Sequence, residues 1–286
     1  MTSGPEQPGS SHLPADRRTV IVTGAARGIG ATIARLAAER GALVGVLDID
    51  TDGARRIADQ IGGIALSAAT NDETQVLAAF DRFAEETAMP APDLVVNNAG
   101  IVRFGALAQL SVADWRETVD VNLTGTFIVG RAAAVRMAAR GRGAIVNITS
   151  INGIAPGPYA GAYGSTKAAI ALLTQQMAIE FGPAGVRVNA VAPGLIDGGM
   201  SEEIYANSEI RAARSSKVPL GRLGTEEDIA KVVLFVGSDE AAYLTAEHIV
   251  VDGGVVRSII ANLPRPATVD GVGPNGQAER PEVSGS

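Results

Sequence analysis

Short runs of Val, Ile and Leu alternate along this chain with longer stretches whose apolar residues recur every three or four positions. Thr19–Val22 is a β-branched run that ends in glycines, and Ile29–Arg40 after it reads as a helix. Ala42–Leu47 is the next apolar run and Gly53–Ile61 the next helix. Leu94–Val96 reads as the core of a buried strand, Val112–Ala139 as two helical stretches, and Ala144–Ile148 as a strand again. A helix from about Tyr163 to Phe181 and strands at Val186–Val191 and His248–Val251 complete the series. Strands this short and this continuously apolar are buried on both faces. The pattern therefore predicts an α/β fold, a doubly wound parallel sheet covered by helices, in a single domain spanning 17–262.

The two ends break the pattern. Residues 1–16 carry Gly4, Pro5, Pro8, Gly9 and Pro14 with little to bury, which predicts a flexible tail. Residues 263–286 hold four prolines and four glycines from Pro264 onward, a spacing that sustains neither a helix nor a sheet ladder. Each end fits a passive tail or a partner-contacting arm.

Composition narrows the function classes. Hydrophobic residues at 46% and charged residues at 19% support a sizeable core rather than disorder. The formal charge of −7 and the absence of a basic run argue against nucleic-acid binding. Zero cysteines exclude disulfides, a thiol nucleophile and thiolate metal sites, and the two histidines, His12 and His248, exclude a multi-histidine metal centre. No apolar stretch reaches 18 residues, so no membrane span is expected, and Met1–Arg18 lacks the apolar core of an export signal. A cytoplasmic location is the expectation that remains.

The first strand runs into Thr23-Gly24-Ala25-Ala26-Arg27-Gly28-Ile29-Gly30 and then into a helix. A strand that ends in a glycine turn, with helix N-terminal amides facing outward, suits an anionic group such as a dinucleotide diphosphate. A purely structural tight turn also uses glycine. Asp48 adds a separate feature. It follows the second strand, where a carboxylate meets an adenosine ribose and accepts from both hydroxyls. A 2′-phosphate there would meet like charge, so Asp48 favours NAD over NADP. Arg27 points the other way, since a guanidinium pairs with a 2′-phosphate.

Ser150 follows the strand Ala144–Ile148, at the sheet edge where ligands collect. Tyr163 and Lys167, four residues apart on one helix, share a face at roughly 6 Å. A phenol titrates near about 10, too high for a base at neutral pH, and an adjacent ammonium lowers that value. The chain has three lysines against 21 arginines, so a lysine one turn after a tyrosine is a conspicuous choice.

With these residues in place the chain resembles the short-chain dehydrogenase/reductase family, in its branch of roughly 250-residue members. The matching positions are Thr23-Gly24-x-x-x-Gly28-Ile29-Gly30, Asn97-Asn98-Ala99-Gly100, Asn122, Ser150, Tyr163-x-x-x-Lys167 and Pro193-Gly194, in order between Arg18 and Val255. The resemblance implies a Rossmann-type sheet and an oxidoreductase that moves a hydride between a nicotinamide and a secondary alcohol or ketone. It makes Tyr163 the general acid/base, Lys167 the group that lowers its pKa and holds the nicotinamide ribose, and Ser150 the donor to the substrate oxygen. Asn122 would hold a water that links Lys167 to solvent. Asn98, Ala99 and Gly100 would run along the adenosine ribose, with Asn97 tying neighbouring strands. Pro193 and Gly194 would shape the nicotinamide side and the Ile196 backbone would meet its carboxamide.

Three positions depart from the family pattern. An adenine-binding aspartate after the third strand is replaced by Ala69, unless Asp72 serves instead. The threonine that often holds the carboxamide is Gly198, which would either loosen the nicotinamide end of the cofactor or shift that task to Ser201. The chain also continues beyond Asp252-Gly253-Gly254 to residue 286. A mobile substrate lid is expected between Gly198 and Val218, opposite a wall that includes Phe104, Ile151, Asn152, Ile154, Pro156 and Tyr159. A homotetramer or homodimer is implied, with 106–140 and 160–181 packing across one interface and 249–260 offering another. The substrate is a small alcohol or ketone of open identity. An NADPH-dependent 3-oxoacyl-thioester reductase and a non-catalytic dinucleotide sensor are the competing functions.

Overall fold

The apolar runs become the strands of one parallel sheet. The structure, a computed structural model, describes residues 17–258. Both expected tails, 1–16 and 263–286, lie outside the described residues, as do positions 259–262 of the expected domain. In chain order the first half is β1 (Thr19–Thr23), α1 (Gly28–Glu39), β2 (Leu43–Asp48), α2 (Thr51–Ile61), β3 (Ile64–Ser67), α3 (Glu73–Thr87) and β4 (Leu94–Asn97). Then come α4 (Val112–Val119), α5 (Gly125–Arg140), β5 (Gly143–Ile148), α6 (Tyr163–Phe181) and β6 (Val186–Pro193). The remainder is β7 (Ile196–Asp197), α7 (Glu202–Tyr205), α8 (Ser208–Ser215), β8 (Gly224–Thr225), α9 (Glu226–Gly237) and β9 (His248–Val251).

Seven strands form the sheet in the order β3-β2-β1-β4-β5-β6-β9, and every pairing is parallel. Alternate side chains feed two cores. Val20, Val22, Val44 and Val46 pack with α1, α2 and α9, whereas Ile21, Leu43, Leu47 and Val95 pack with α3, α5 and α6. Burial on both faces explains why these strands read as unbroken apolar runs. β3 and α3 fall in a stretch that the pattern along the chain left unassigned. β3 is only four residues long, whereas α3 carries buried Val76, Ala79, Phe80 and Phe83 at helical spacing. Between α4 and α5 the chain does not break but passes through a π-helical turn, Asp120–Thr124. The strand order reverses between β1 and β4. Their carboxyl ends therefore open a crevice, the position where such sheets bind ligands.

Candidate active site

The crevice begins at β1. Thr23 accepts hydrogen bonds from the amides of Asn98 and Ala99 at 3.0 and 3.1 Å, and so pins the end of β4 to the end of β1. The Asn98 side chain donates to the carbonyls of Thr23 and Gly24 at 3.1 and 3.0 Å, which leaves its backbone and Ala99 along the crevice. A Cβ at Gly30 would lie 2.3 Å from the Gly24 carbonyl oxygen, so only glycine lets the turn close this tightly. α1 starts after Arg27, an exposed residue in extended conformation that makes no side-chain cap, and no acid stands in its first turn. Its leading N–H groups therefore stay available, as a diphosphate would need.

Asp48 closes β2. Its carboxylate accepts from the amides of Ala26 and Asp50, each at 2.9 Å, so it is held rigidly beside the glycine turn. Its acidic neighbours have other duties: Asp50 caps α2 by accepting from the Gly53 amide, and exposed Asp52 pairs with Arg55. Past β3, Asp72 is committed to capping α3 through Gln75, and the Ala69 amide donates to the Gln75 side chain at 3.0 Å. The Ala69 N–H is thus already used within the fold, and Asp72 holds the start of α3.

β5 delivers Ser150, whose hydroxyl accepts from the Asn152 amide at 3.1 Å and lies close enough to the Tyr163 phenol to influence its ionisation. Lys167, 3% exposed, lies one turn along α6 with its Nζ 5.5 Å from the Tyr163 ring centre. It donates to the Ile148 carbonyl at 2.8 Å, which uses one of its three N–H groups. Burial pushes the Tyr163 phenol above its ordinary value, and the neighbouring Ser150 hydroxyl opposes that rise. The depression expected from Lys167 does not appear, because burial also weakens the charge of the lysine itself, lowering its pKa to about 8.

Asn122 sits in the π-helical turn, a distortion that recurs at functional sites. Its side chain is spent on the Ile101 backbone, accepting from N–H at 2.8 Å and donating to the carbonyl at 2.9 Å, and on the Thr166 hydroxyl at 3.2 Å. The Thr166 hydroxyl in turn donates to the Tyr163 carbonyl at 2.7 Å. Asn122 thereby links the end of β4 to α6. A Cβ on Gly100 would stand 3.2 Å from its Oδ1 and 3.5 Å from Lys167 Nζ, so Gly100, Asn122 and Lys167 meet at one point. Asn97 donates to the Asn147 side chain at 2.8 Å, across β4 and β5.

Thr149 and Thr166 escaped the sequence reading, and Thr23 was read only as part of the glycine turn, since a lone threonine leaves no signal of its partners. The Thr149 hydroxyl donates to the Val191 carbonyl at 3.0 Å and so accepts from His248 Nε2 at 2.7 Å, a chain across β5, β6 and β9 directly beneath Ser150.

Pro193 ends β6, and the Gly194 amide that follows it donates to the Val251 carbonyl at 2.9 Å. The two-residue strand β7, which contains Ile196, pairs with β8. The expected lid is helical, being made of α7 and α8. Arg211 forms a bidentate ion pair with Asp197, and Tyr205 is buried at 4% exposure beneath the Arg214 guanidinium.

The profile of a family described as Enoyl-(Acyl carrier protein) reductase matches residues 24–256, from the glycine turn to just beyond β9. The chain belongs to the short-chain dehydrogenase/reductase family. This is a family of oxidoreductases, and its dehydrogenases use nicotinamide dinucleotide cofactors. The chain is similar to 2-(S)-hydroxypropyl-CoM dehydrogenase 3 of Xanthobacter autotrophicus, at 40% identity over 82% of this chain and 95% of that one. Cis-4-hydroxycyclohexanecarboxylate dehydrogenase of Sinomonas cyclohexanicum is also 40% identical, over 83% of this chain and 96% of that one. Among solved structures, a putative gluconate dehydrogenase from Agrobacterium tumefaciens superposes with a TM-score of 0.80 at 31% identity, covering 84% of this chain and 96% of that one.

The residues of this short-chain dehydrogenase/reductase fit a dinucleotide. α1 has an uncapped N-terminus, Asp48 is held beside the glycine turn, and Lys167 keeps unused donors beside Gly100. Among the described residues no helix is long and apolar enough to cross a membrane.

Proposed function

We propose that this chain exchanges a hydride between NAD(H) and a secondary alcohol or ketone, with Tyr163 as the general acid/base. The observation that carries this reading is the convergence at the carboxyl edge of β5 of Ser150, whose hydroxyl acts on the Tyr163 phenol, and buried Lys167, one helical turn away with its Nζ 5.5 Å from the Tyr163 ring centre. When bound, the nicotinamide supplies the hydride acceptor or donor. In the oxidative direction Tyr163 takes the hydroxyl proton of the alcohol while Ser150 donates to the same oxygen and holds it in place. Below about pH 8, where it keeps its charge, Lys167 would offset the burial penalty on the phenolate, and it would hold the nicotinamide ribose with its remaining N–H groups. Gly24, Arg27, Gly28, Ile29 and Gly30 would cradle the diphosphate, Asn98–Gly100 would flank the adenosine side, and Pro193, Gly194 and Ile196 would bound the nicotinamide. Asn122 holds the end of β4 against α6 so that these groups stay in register.

Asp48 supports NAD rather than NADP, since its fixed carboxylate would repel a 2′-phosphate. Both relatives named above are dehydrogenases of hydroxylated substrates, in keeping with a CH–OH substrate. Exposed Arg27 favours the other reading, an NADPH-dependent 3-oxoacyl-thioester reductase. A cytoplasmic homodimer or homotetramer is the assembly proposed, because Phe127 and Val135 on α5 and Leu172 and Ile179 on α6 leave apolar side chains exposed. Sedimentation as a monomer alone would contradict it.

The test of the chemistry is Tyr163→Phe. Turnover of secondary alcohols, followed at the nicotinamide absorbance band, is expected to fall by about 10³-fold while NADH binding stays within about threefold. Turnover that survives the substitution would remove Tyr163 as the base. A dinucleotide sensor would bind NADH and turn over nothing even with Tyr163 in place.

A further inference from the structure

Gly198 stands where no side chain fits, and the atom that excludes one is a carboxylate oxygen. Its φ of +140° is outside the range open to other residues, and a Cβ built there would lie 2.6 Å from Glu226 Oε1. The same oxygen is 3.7 Å from the Cβ position of Gly28 in the glycine turn and 3.9 Å from that of Gly199. Glu226 is the first residue of α9, which packs beside α1 on the cofactor side of the sheet. Its other oxygen, Oε2, accepts from the Thr32 hydroxyl of α1 at 2.7 Å. One oxygen is thus anchored. The other stands at the junction of three glycines, between the glycine turn and the segment that follows Ile196, and no donor among the described residues reaches it.

We infer that Glu226 Oε1 is an acceptor for the carboxamide N–H of the nicotinamide and supplies from α9 the polar atom that position 198 lacks. The inference rests on the dinucleotide reading above. A dinucleotide that runs from Asp48 past the glycine turn to Tyr163 must pass this junction, and its diphosphate and ribose hydroxyls have donors at α1 and Lys167. The carboxamide NH2 is the group of the cofactor that needs an acceptor, and a carboxylate makes the stronger class of hydrogen bond. Ser201, the residue expected to take over this task, is the last residue of the three-residue turn Gly199–Ser201 that follows Gly198, and its amide donates to the Gly198 carbonyl at 3.1 Å.

The experiment compares dissociation constants for NAD+, for its 3-acetylpyridine analogue, in which a methyl group replaces the NH2, and for ADP-ribose, which has no nicotinamide. The wild-type protein is expected to prefer NAD+ over the acetylpyridine analogue by about tenfold, the worth of one charge-assisted hydrogen bond. Glu226→Ala should abolish that preference and leave ADP-ribose affinity within about twofold, while Glu226→Gln, which keeps an acceptor oxygen, should retain most of it. Thr32→Val, which leaves the carboxylate in place but frees it, provides the same reading at smaller amplitude if the alanine variant does not fold. A parallel loss for all three ligands would mean that Glu226 only ties α1 to α9, and would overturn the inference. So would unchanged binding in Glu226→Ala, or tighter binding of every ligand, which would mark the carboxylate as a repeller of the diphosphate. Failure of the wild-type protein to bind any of the three would instead sink the dinucleotide reading itself.

Discussion

α1 and α9 lie side by side on one face of the sheet, yet their N-termini are built in opposite ways. α9 satisfies its own orphan amides. Thr225 and Asp228 form a reciprocal capping box, and three acids, Glu226, Glu227 and Asp228, face the positive end of the helix dipole. Arg222 and the Thr225 amide hold the Asp228 carboxyl well below the usual carboxylate range. α1 has no side-chain cap and no acid in its first turn, and glycine stands at two of its first three positions. Capping by Ser, Thr, Asp or Asn is worth about 1 kcal/mol. A helix that forgoes it keeps its N–H groups for something other than its own stability. The difference teaches that the binding end of this molecule is recognisable by what it leaves unsatisfied.

The largest expected effect concerns Lys167, whose unused donors belong to the same open crevice. Its pKa is about 8 in the folded chain against an ordinary 10.5. Between those values the unfolded chain holds a proton that the folded chain has lost, so this group makes the protein gain stability as pH rises, by up to about 3 kcal/mol. Below about pH 8 the full burial penalty applies. Urea unfolding at about pH 7.5 and about pH 10 measures the gain, and Lys167→Met should flatten it. An equal rise in that variant would refute the assignment.

Arg27→Asp converts the N-terminus of α1 into one like that of α9. NADH affinity should fall by about 30-fold through repulsion of the diphosphate, while the melting temperature holds or rises because the helix gains a cap. Titration by NADH fluorescence beside a thermal melt reads both at once, and a fall in stability without loss of affinity would reverse the comparison. Asp48→Asn, further along the crevice, should move the NAD-to-NADP preference by about tenfold toward NADP, because one full charge beside the 2′ position is removed. Unchanged discrimination would transfer cofactor choice to Arg27. The smallest effect is that of Thr225→Ala. Losing the α9 cap should cost about 1 kcal/mol of stability with no change in NADH affinity. A loss of affinity there would show the two N-termini to be coupled through Glu226 and Thr32.

Much of this was legible along the chain. The parallel sheet followed from short unbroken apolar runs, and Ser150, Tyr163 and Lys167 followed from one strand end and one helical turn. α3 and α9 also carry readable signals, a buried spacing at Val76, Ala79, Phe80 and Phe83 and a Thr225/Asp228 capping box, which the strand-centred pattern passed over. The direction in which Tyr163 shifts was not legible. Spacing places an ammonium nearby but says nothing of burial, which raises the phenol and weakens the lysine together. Nor was the redeployment of Asp72, because a cap and a ligand contact use the same residue type at the same place.

Local order along the chain is enough to define the family, the sheet and the convergence of Ser150, Tyr163 and Lys167, because strand ends and helix turns are set by neighbours a few residues apart. Which polar atoms remain free was decided only by folding. Glu226 and Gly198 are 28 positions apart, Asn122 and Thr166 are 44 apart, and Thr149 and His248 are 99 apart. Packing α9 on α1, the π-helical turn on α6 and β9 beyond β6 brings these pairs together. A hydrogen bond depends on separations of a few ångströms, and sequence distance does not encode such separations.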